Sequence, residues 1–184
     1  MEKTMDAFEK ALAEVLGIEG GFSDVEADRG GKTNWGITEV LARRYGYEGP
    51  MQELPLVTAR MIYWEEFWAQ KRLQLDLLAE HAPHVAVEIF EQAVNTGYYG
   101  TAKRVQRVLN ILNRGESLYP DLKVDAWLGT KAREAVRSLV HQGDVDYLLQ
   151  WLNVAQGAHY LQLCESDPTQ EAFARGWVDK RVKV

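Results

Sequence analysis

Three polar side chains suited to acid–base catalysis stand near the N-terminus: Glu19, Asp28 and Thr33. They are nine and then five positions apart, in a stretch that is rich in glycine and polar residues. Such a stretch has too few apolar side chains to build a core, and loops on a rigid scaffold often carry functional residues. The spacing predicts a site in which one acid donates a proton while a second carboxylate and a hydroxyl orient water.

This pairing fits cleavage of a glycosidic bond, which needs a proton donor to the leaving oxygen and a second group that activates water. Glu19 is expected just past the last turn of a helix ending at Gly17, where the negative end of the helix dipole favours the protonated acid. Asp28 and Thr33 would hold a water on the other face of the bond. Asp28 could equally be a turn residue that bonds its own backbone, and Thr33 a hydroxyl that braces a hairpin.

Helical patterns predict the elements that position this stretch. They indicate helices over residues 5–16, 38–45, 56–68, 83–97, 101–112, 130–141, 144–164 and 169–178. A short β-hairpin is predicted within residues 20–38, where glycines alternate with apolar side chains. The expected fold is therefore mainly α, with this small hairpin at the site. The loop 113–121 is predicted to separate a catalytic part, 1–113, from a C-terminal helical part, 114–184, packed against it.

Composition narrows the classes of function. The 184 residues carry a net charge of −6 and a single cysteine, which argues against a nucleic-acid binder and excludes an internal disulfide. The N-terminus lacks the apolar segment of a secretory signal, and no stretch is apolar enough to span a bilayer. The four histidines show no ligand spacing, so neither a metal nor another cofactor is expected.

The spacing of Glu19, Asp28 and Thr33 also resembles the spacing of the catalytic residues of phage-type lysozymes. Those enzymes place the catalytic glutamate at the end of the first helix and the other two residues on a small hairpin. The motifs Glu-Gly-Gly-Phe at 19–22 and Asp-x-Gly-Gly-x-Thr-Asn-x-Gly-Ile-Thr at 28–38 are similar to glycoside hydrolase family 108. That family comprises muramidases of phage endolysins and bacterial secretion-activator proteins. The resemblance implies a lysozyme-like helical fold.

The resemblance continues through the C-terminal half, which is similar to the family's peptidoglycan-binding region. It rests on residues 90–97, 102–109, 124–130 and the closing Gly-Trp-x-x-x-Arg of 176–181. Two positions depart from the family's pattern. Glu91 stands where aspartate is expected, and Ala126 stands where the usual Asp-Gly turn has glycine. The second departure predicts a reshaped turn.

Three further residues are candidates for binding the glycan. Trp35 either lines a sugar subsite or packs under the hairpin. Asn95 and Tyr98 match the family's positions near the end of a core helix, although a helix C-cap would explain Asn95 without any ligand. The aromatic residues of 63–68 are at helical spacing, and most of them are expected in the core.

The resemblance implies a bacteriolytic N-acetylmuramidase that cleaves the β-1,4 bond between N-acetylmuramic acid and N-acetylglucosamine in peptidoglycan, with Glu19 as general acid. It would be made in the cytoplasm without a signal peptide and act in the periplasm or on the cell wall, with export through a holin or a secretion apparatus. One alternative is a non-catalytic peptidoglycan-binding or scaffolding protein on a lysozyme fold. Another is an endolysin that cleaves the peptide. Phage lysis and bacterial secretion remain alternative settings.

Overall fold

The computed structural model describes residues 2–19 and 32–182, and helices dominate this part of the chain. The α-helices are α1 (Glu2–Glu19), α2 (Glu39–Arg44), α3 (Leu56–Tyr63), α4 (Leu75–Leu78), α5 (Pro83–Thr96), α6 (Tyr98–Leu112), α7 (Thr130–Gln142), α8 (Val145–Ser166) and α9 (Ala174–Arg181). Short 3-10 helices cover Met51–Glu53 and Pro168–Phe173, and a π-helical turn covers Trp64–Trp68. The predicted mainly-α fold is confirmed.

The predicted hairpin is present as two very short antiparallel strands, β1 (Thr33–Asn34) and β2 (Ile37–Thr38). Thr33 pairs with Thr38 and Asn34 with Ile37, so that Trp35 and Gly36 form the turn. Both turn residues have positive φ, 54° and 72°, as the tight turn of a two-residue hairpin requires. Gly36 adopts this conformation without strain, whereas Trp35 needs support from its surroundings.

An aromatic cluster fixes α1 against the rest of the molecule. The Phe8 ring lies 5.0 Å from Trp64, 5.4 Å from Trp68 and 6.0 Å from Phe90, in edge-to-face geometry. Phe8, Trp68 and Phe90 are fully buried, as is Tyr63. Such contacts add to the burial of apolar surface, which is the main stabilising contribution to the core. Since Phe8 lies on α1 and Phe90 on α5, the cluster holds these two helices together.

A buried polar network joins the N-terminal and C-terminal halves of the chain. The Gln92 side chain on α5 donates through Nε2 to Glu88 Oε1 at 2.9 Å and to the Leu152 carbonyl of α8 at 3.2 Å. Asn153 Nδ2 also donates to Glu88 Oε1, at 3.3 Å. Glu88, Gln92 and Asn153 are all buried, so these bonds satisfy groups that would otherwise be costly to bury. The network orients α8 on α5.

Several helix boundaries differ from the sequence predictions. Helix α1 continues past Gly17 to Glu19, because an isolated exposed glycine weakens a helix without ending it. The predicted helix 56–68 becomes a π-turn after Tyr63, and Met61 lies exposed rather than with the aromatic residues. The four-residue helix α4 is too short for a periodic signal and was not predicted. Within the described residues, no helix combines the length and apolarity needed to cross a bilayer.

Candidate active site

Glu19 is the last residue of α1, an 18-residue helix. The predicted position just past the last turn is therefore corrected to the last turn itself, which keeps Glu19 at the negative end of the helix dipole. The helix is held by the aromatic cluster around Phe8 and by an exposed ion pair between Arg60 and Glu9, in which Arg60 Nε donates to Glu9 Oε1 at 2.8 Å. Asp28 lies outside the described residues.

Thr33 lies half-buried on β1, where it pairs with Thr38. Its neighbour Asn34 anchors the strand: Asn34 Nδ2 donates to the carbonyls of Met51 at 2.8 Å and Gln52 at 3.3 Å. The Thr38 hydroxyl accepts a hydrogen bond from the Leu41 backbone N–H at 3.2 Å and caps α2. Thr33 thus lies on a strand that Asn34 holds to residues 51–52. The same strand pairs with β2, whose Thr38 caps α2.

Trp35 fastens the turn of the hairpin to α3 and the loop before it. Its indole Nε1 donates to the Leu54 carbonyl at 2.9 Å, and its own carbonyl accepts from the Tyr63 hydroxyl at 2.9 Å. These two bonds and contact with the core support the left-handed backbone of Trp35. The packing role has direct contacts, while a role for the ring in a sugar subsite stays a prediction.

Asn95 lies within α5, and Gly97 rather than Asn95 caps that helix. The Asn95 amide contacts the Tyr160 hydroxyl of α8 at 2.5 Å. With its nitrogen toward Tyr160, the amide oxygen accepts from Nε and Nη1 of Arg181 at 3.1 and 3.3 Å. Tyr98 is the first residue of α6, half-buried against the core. Contact of Asn95 and Tyr98 with a glycan stays a prediction.

The C-terminal Gly-Trp-x-x-x-Arg motif packs against Tyr160 and Asn95. The Trp177 ring stacks on Tyr160 with centroids 4.7 Å apart and an angle of 16° between the planes, and Arg181 contacts Asn95. Tyr160 therefore joins α5, α8 and α9, a role that sequence analysis missed. Its buried position in α8 carries no local signal, because the contacts come from residues far away in the chain.

Helices α1, α5, α8 and α9 also meet at a small cavity near the C-terminal end of α1. The cavity has a volume of about 10 Å³ and is lined by Val15, Glu88, Glu91, Gln156, Lys180 and Arg181. Glu91, the position where aspartate was expected, contributes a half-buried carboxylate here. Charged groups of both signs thus lie beside the last turns of α1.

The turn around Ala126 keeps the conformation that a glycine would take. Ala126 has φ 63° and is fully buried. Gln106 holds the turn: its Oε1 accepts from the Ala126 N–H at 2.9 Å, and its Nε2 donates to Asp125 Oδ1 at 2.9 Å and to the Trp127 carbonyl at 3.0 Å. Ala126 therefore adopts the left-handed backbone conformation that glycine usually takes at such a turn.

Within the described residues, no group of three or more histidine, cysteine, aspartate or glutamate side chains could hold a metal ion.

Comparison with known proteins divides the chain into two matched regions. Residues 12–97 match the family model of glycosyl hydrolase 108, and residues 101–182 match a model described as a predicted peptidoglycan domain. No curated protein matches the chain. Among solved structures, it is similar to SagA of Brucella abortus, with 25% identity and a TM-score of 0.71 over 96% of this chain and 90% of that one.

The structural match agrees with the lysozyme-like helical fold that the resemblance implied. The first matched region ends directly after α5, the second begins in the first turn of α6, and together they cover almost all of the described residues. These matches support the resemblance of the chain to glycosyl hydrolase family 108, with a C-terminal region similar to a peptidoglycan domain.

Proposed function

We propose that the protein is an N-acetylmuramidase that hydrolyses the β-1,4 bond between N-acetylmuramic acid and N-acetylglucosamine. The observation that carries this proposal is the position of Glu19 at the end of α1, within the region that matches glycosyl hydrolase 108. The negative end of the helix dipole favours an acid that keeps its proton until the leaving oxygen takes it. The matched peptidoglycan domain supports peptidoglycan as the polymer.

In the proposed reaction, Glu19 gives its proton to the glycosidic oxygen as the bond to the anomeric carbon breaks. Asp28 and the Thr33 hydroxyl orient the water that adds to that carbon, and a carboxylate takes up the water's proton. Thr33 suits this role because Asn34 and the hairpin hold its strand in place. Trp35, Asn95 and Tyr98 are proposed to contact the glycan, Trp35 through its ring face.

The substrate places the site of action in the periplasm or on the cell wall. We therefore propose passage through a holin or a secretion apparatus, after which the enzyme acts bacteriolytically. A protein found only in the cytoplasm of producing cells whose walls are being degraded would contradict this part of the proposal. Fractionation with an antibody against the chain is the measurement.

Replacement of Glu19 tests the catalytic assignment. Glu19→Gln keeps the shape of the side chain but cannot donate the proton, so the rate of clearing of purified cell walls should fall by about 10²-fold or more. Glu80→Gln is the matched control, since Glu80 is exposed and belongs to no proposed site. If Glu19→Gln clears walls as fast as the unchanged protein, the assignment is wrong.

Mass spectrometry of the digest identifies the bond. New reducing ends at N-acetylmuramic acid support the muramidase, whereas new peptide termini would show the peptide-cleaving alternative. The match of residues 101–182 to a peptidoglycan domain also favours a second candidate, a binding or scaffolding protein without activity. Sedimentation with insoluble peptidoglycan without release of any fragment would support that candidate.

A further inference from the structure

We propose that a groove between α6 and α8 binds the carboxylate groups of peptidoglycan stem peptides. The cavity of this groove has a volume of about 570 Å³, within the range of about 300–1,000 Å³ that ligand sites occupy. It lies in the matched peptidoglycan domain. The choice of stem peptides as the source of the carboxylates rests on the proposed function; the preference for an anion rests on the groove itself.

Arg104 on the floor of the groove is a buried cation. Arg104 is only 9% exposed, and it lines the cavity. The guanidinium donates through Nη2 to the hydroxyls of Thr96 and Thr101, the latter at 2.9 Å, whereas its Nε has no hydrogen-bond partner. Within residues 2–19 and 32–182, no carboxylate forms an ion pair with Arg104.

An unpaired buried cation is unusual, because burial removes water that stabilises the charge. Burial accordingly lowers the pKa of Arg104. Two hydroxyl groups satisfy part of its hydrogen-bonding capacity but supply no negative charge. A ligand carboxylate that enters the groove would supply it, and the missing counter-charge is the observation that indicates an anionic ligand.

The rim of the groove adds positive charge. Lys103 and Arg107 lie on α6 beside Arg104, and His159 faces them from α8. Burial and the charge of Arg104 both lower the pKa of His159, so His159 is neutral near pH 7 and the positive charge of the rim comes from Lys103 and Arg107. Of the described residues that line the cavity, none is acidic, although the whole chain has a net charge of −6. A local positive potential in an acidic protein attracts anionic ligands to this groove rather than to the surrounding surface.

The walls of the groove are apolar and fit a peptide better than a free inorganic anion. Helix α8 presents Trp151 and Val154, which are 40% and 54% exposed, and α6 presents Ile111. These side chains would cover the methyl and methylene groups of a short peptide while the basic residues hold its carboxylates. Stem peptides combine these two features, since they carry alanine methyl groups and several free carboxylates.

Calorimetric titration of the full chain with a soluble muramyl tripeptide of alanine, glutamate and diaminopimelate tests the proposal. We expect saturable binding, weakened about tenfold or more when the two rim cations are removed in Lys103→Ala/Arg107→Ala. The control Lys3→Ala/Lys71→Ala removes the same charge from exposed positions outside the groove and should change the Kd less than twofold. The tripeptide with its carboxylates amidated should bind at least tenfold more weakly.

Equal loss in the control pair, or equal binding of the amidated peptide, would overturn the proposal. Arg104→Gln provides a second variant if circular dichroism shows native helix content, and it should bind at least as weakly as the double variant. Binding does not depend on hydrolysis, so the two proposals fail separately. Cleared walls without peptide binding would refute the groove alone, whereas peptide binding without cleavage of glycan would refute the muramidase alone.

Discussion

Ala126 shows how one residue can depart from a family's pattern without changing the turn that holds it. A left-handed backbone costs an alanine about 1–2 kcal/mol relative to glycine. Gln106 supplies three hydrogen bonds across the turn, and the buried Ala126 methyl group adds apolar contact that glycine would lack. Conformation and packing therefore oppose each other at this position.

These opposing effects predict that Ala126→Gly changes stability little. Relief of the left-handed backbone is offset by the greater freedom of glycine in the unfolded chain, about 0.4–1 kcal/mol, and by loss of a buried methyl group, about 0.8 kcal/mol. The free energy of unfolding should change by less than about 1 kcal/mol. Ala126→Val should cost about 2 kcal/mol or more, because a β-branched side chain suits neither the backbone nor the space. Urea denaturation measures both, and equal stability of the valine variant would contradict the account.

At the scale of elements, strand β1 of the hairpin carries two adjacent residues with different roles. Asn34 stabilises the structure, and Thr33 is proposed to act on the substrate. Asn34 is buried and bonds two backbone carbonyls outside the hairpin. Thr33 is half-buried, and its contribution to the strand comes through its backbone pairing with Thr38. Substitutions at these adjacent positions should therefore have different effects.

We expect Asn34→Ala to lower the free energy of unfolding by about 1–3 kcal/mol, since it removes the hydrogen bonds from a buried amide to the Met51 and Gln52 carbonyls. Thr33→Val keeps the shape and the β-propensity of the strand, so stability should change by less than about 1 kcal/mol while wall clearing falls about tenfold or more. Denaturation and turbidity assays on the same preparations measure both quantities. Unchanged clearing by Thr33→Val would remove Thr33 from the proposed mechanism.

The elements were predictable wherever local pattern determines them. The apolar spacing of α1 and α5 gave helices that the structure contains, and the glycine-rich stretch around Trp35 gave a hairpin. Boundaries were less predictable: Gly17 does not end α1, and α6 begins at Tyr98 instead of Thr101. In both helices an isolated glycine near the end weakens the helix without ending it, so Gly17 lies within α1 and Gly100 within α6.

The contacts within the candidate site were much less predictable than the elements. Sequence analysis selected Asn95 as a glycan contact or a helix cap, whereas its amide meets Tyr160, 65 residues further along the chain. The uncompensated charge of Arg104 likewise depends on α8, which encloses it from the other side of the groove. Neither relation has a periodic or spacing signal, because each arises only when distant segments pack together.

At the scale of the whole molecule, the two family regions share one core. Helix α5 ends the glycosyl hydrolase 108 match, while α6 and α8 belong to the peptidoglycan domain. A continuous set of buried apolar residues nevertheless runs from Ala7 on α1 to Leu152 on α8. The polar network of Glu88, Gln92 and Asn153 crosses the same boundary. The division into parts 1–113 and 114–184 stays a prediction about sequence organisation.

A shared core predicts that the full chain unfolds in a single cooperative transition and that a fragment of residues 1–113 does not fold by itself. Without α8, Gln92 loses its bond to the Leu152 carbonyl and Glu88 loses Asn153, while the apolar face of α5 and α6 that packs on α8 meets water. Leaving such groups uncovered costs several kcal/mol, a large part of the roughly 5–15 kcal/mol that stabilises a typical domain. Urea transitions of the full chain should coincide by tryptophan fluorescence and far-ultraviolet circular dichroism, and the fragment should show none. A cooperative transition in the fragment would show instead that the N-terminal part is an independent domain.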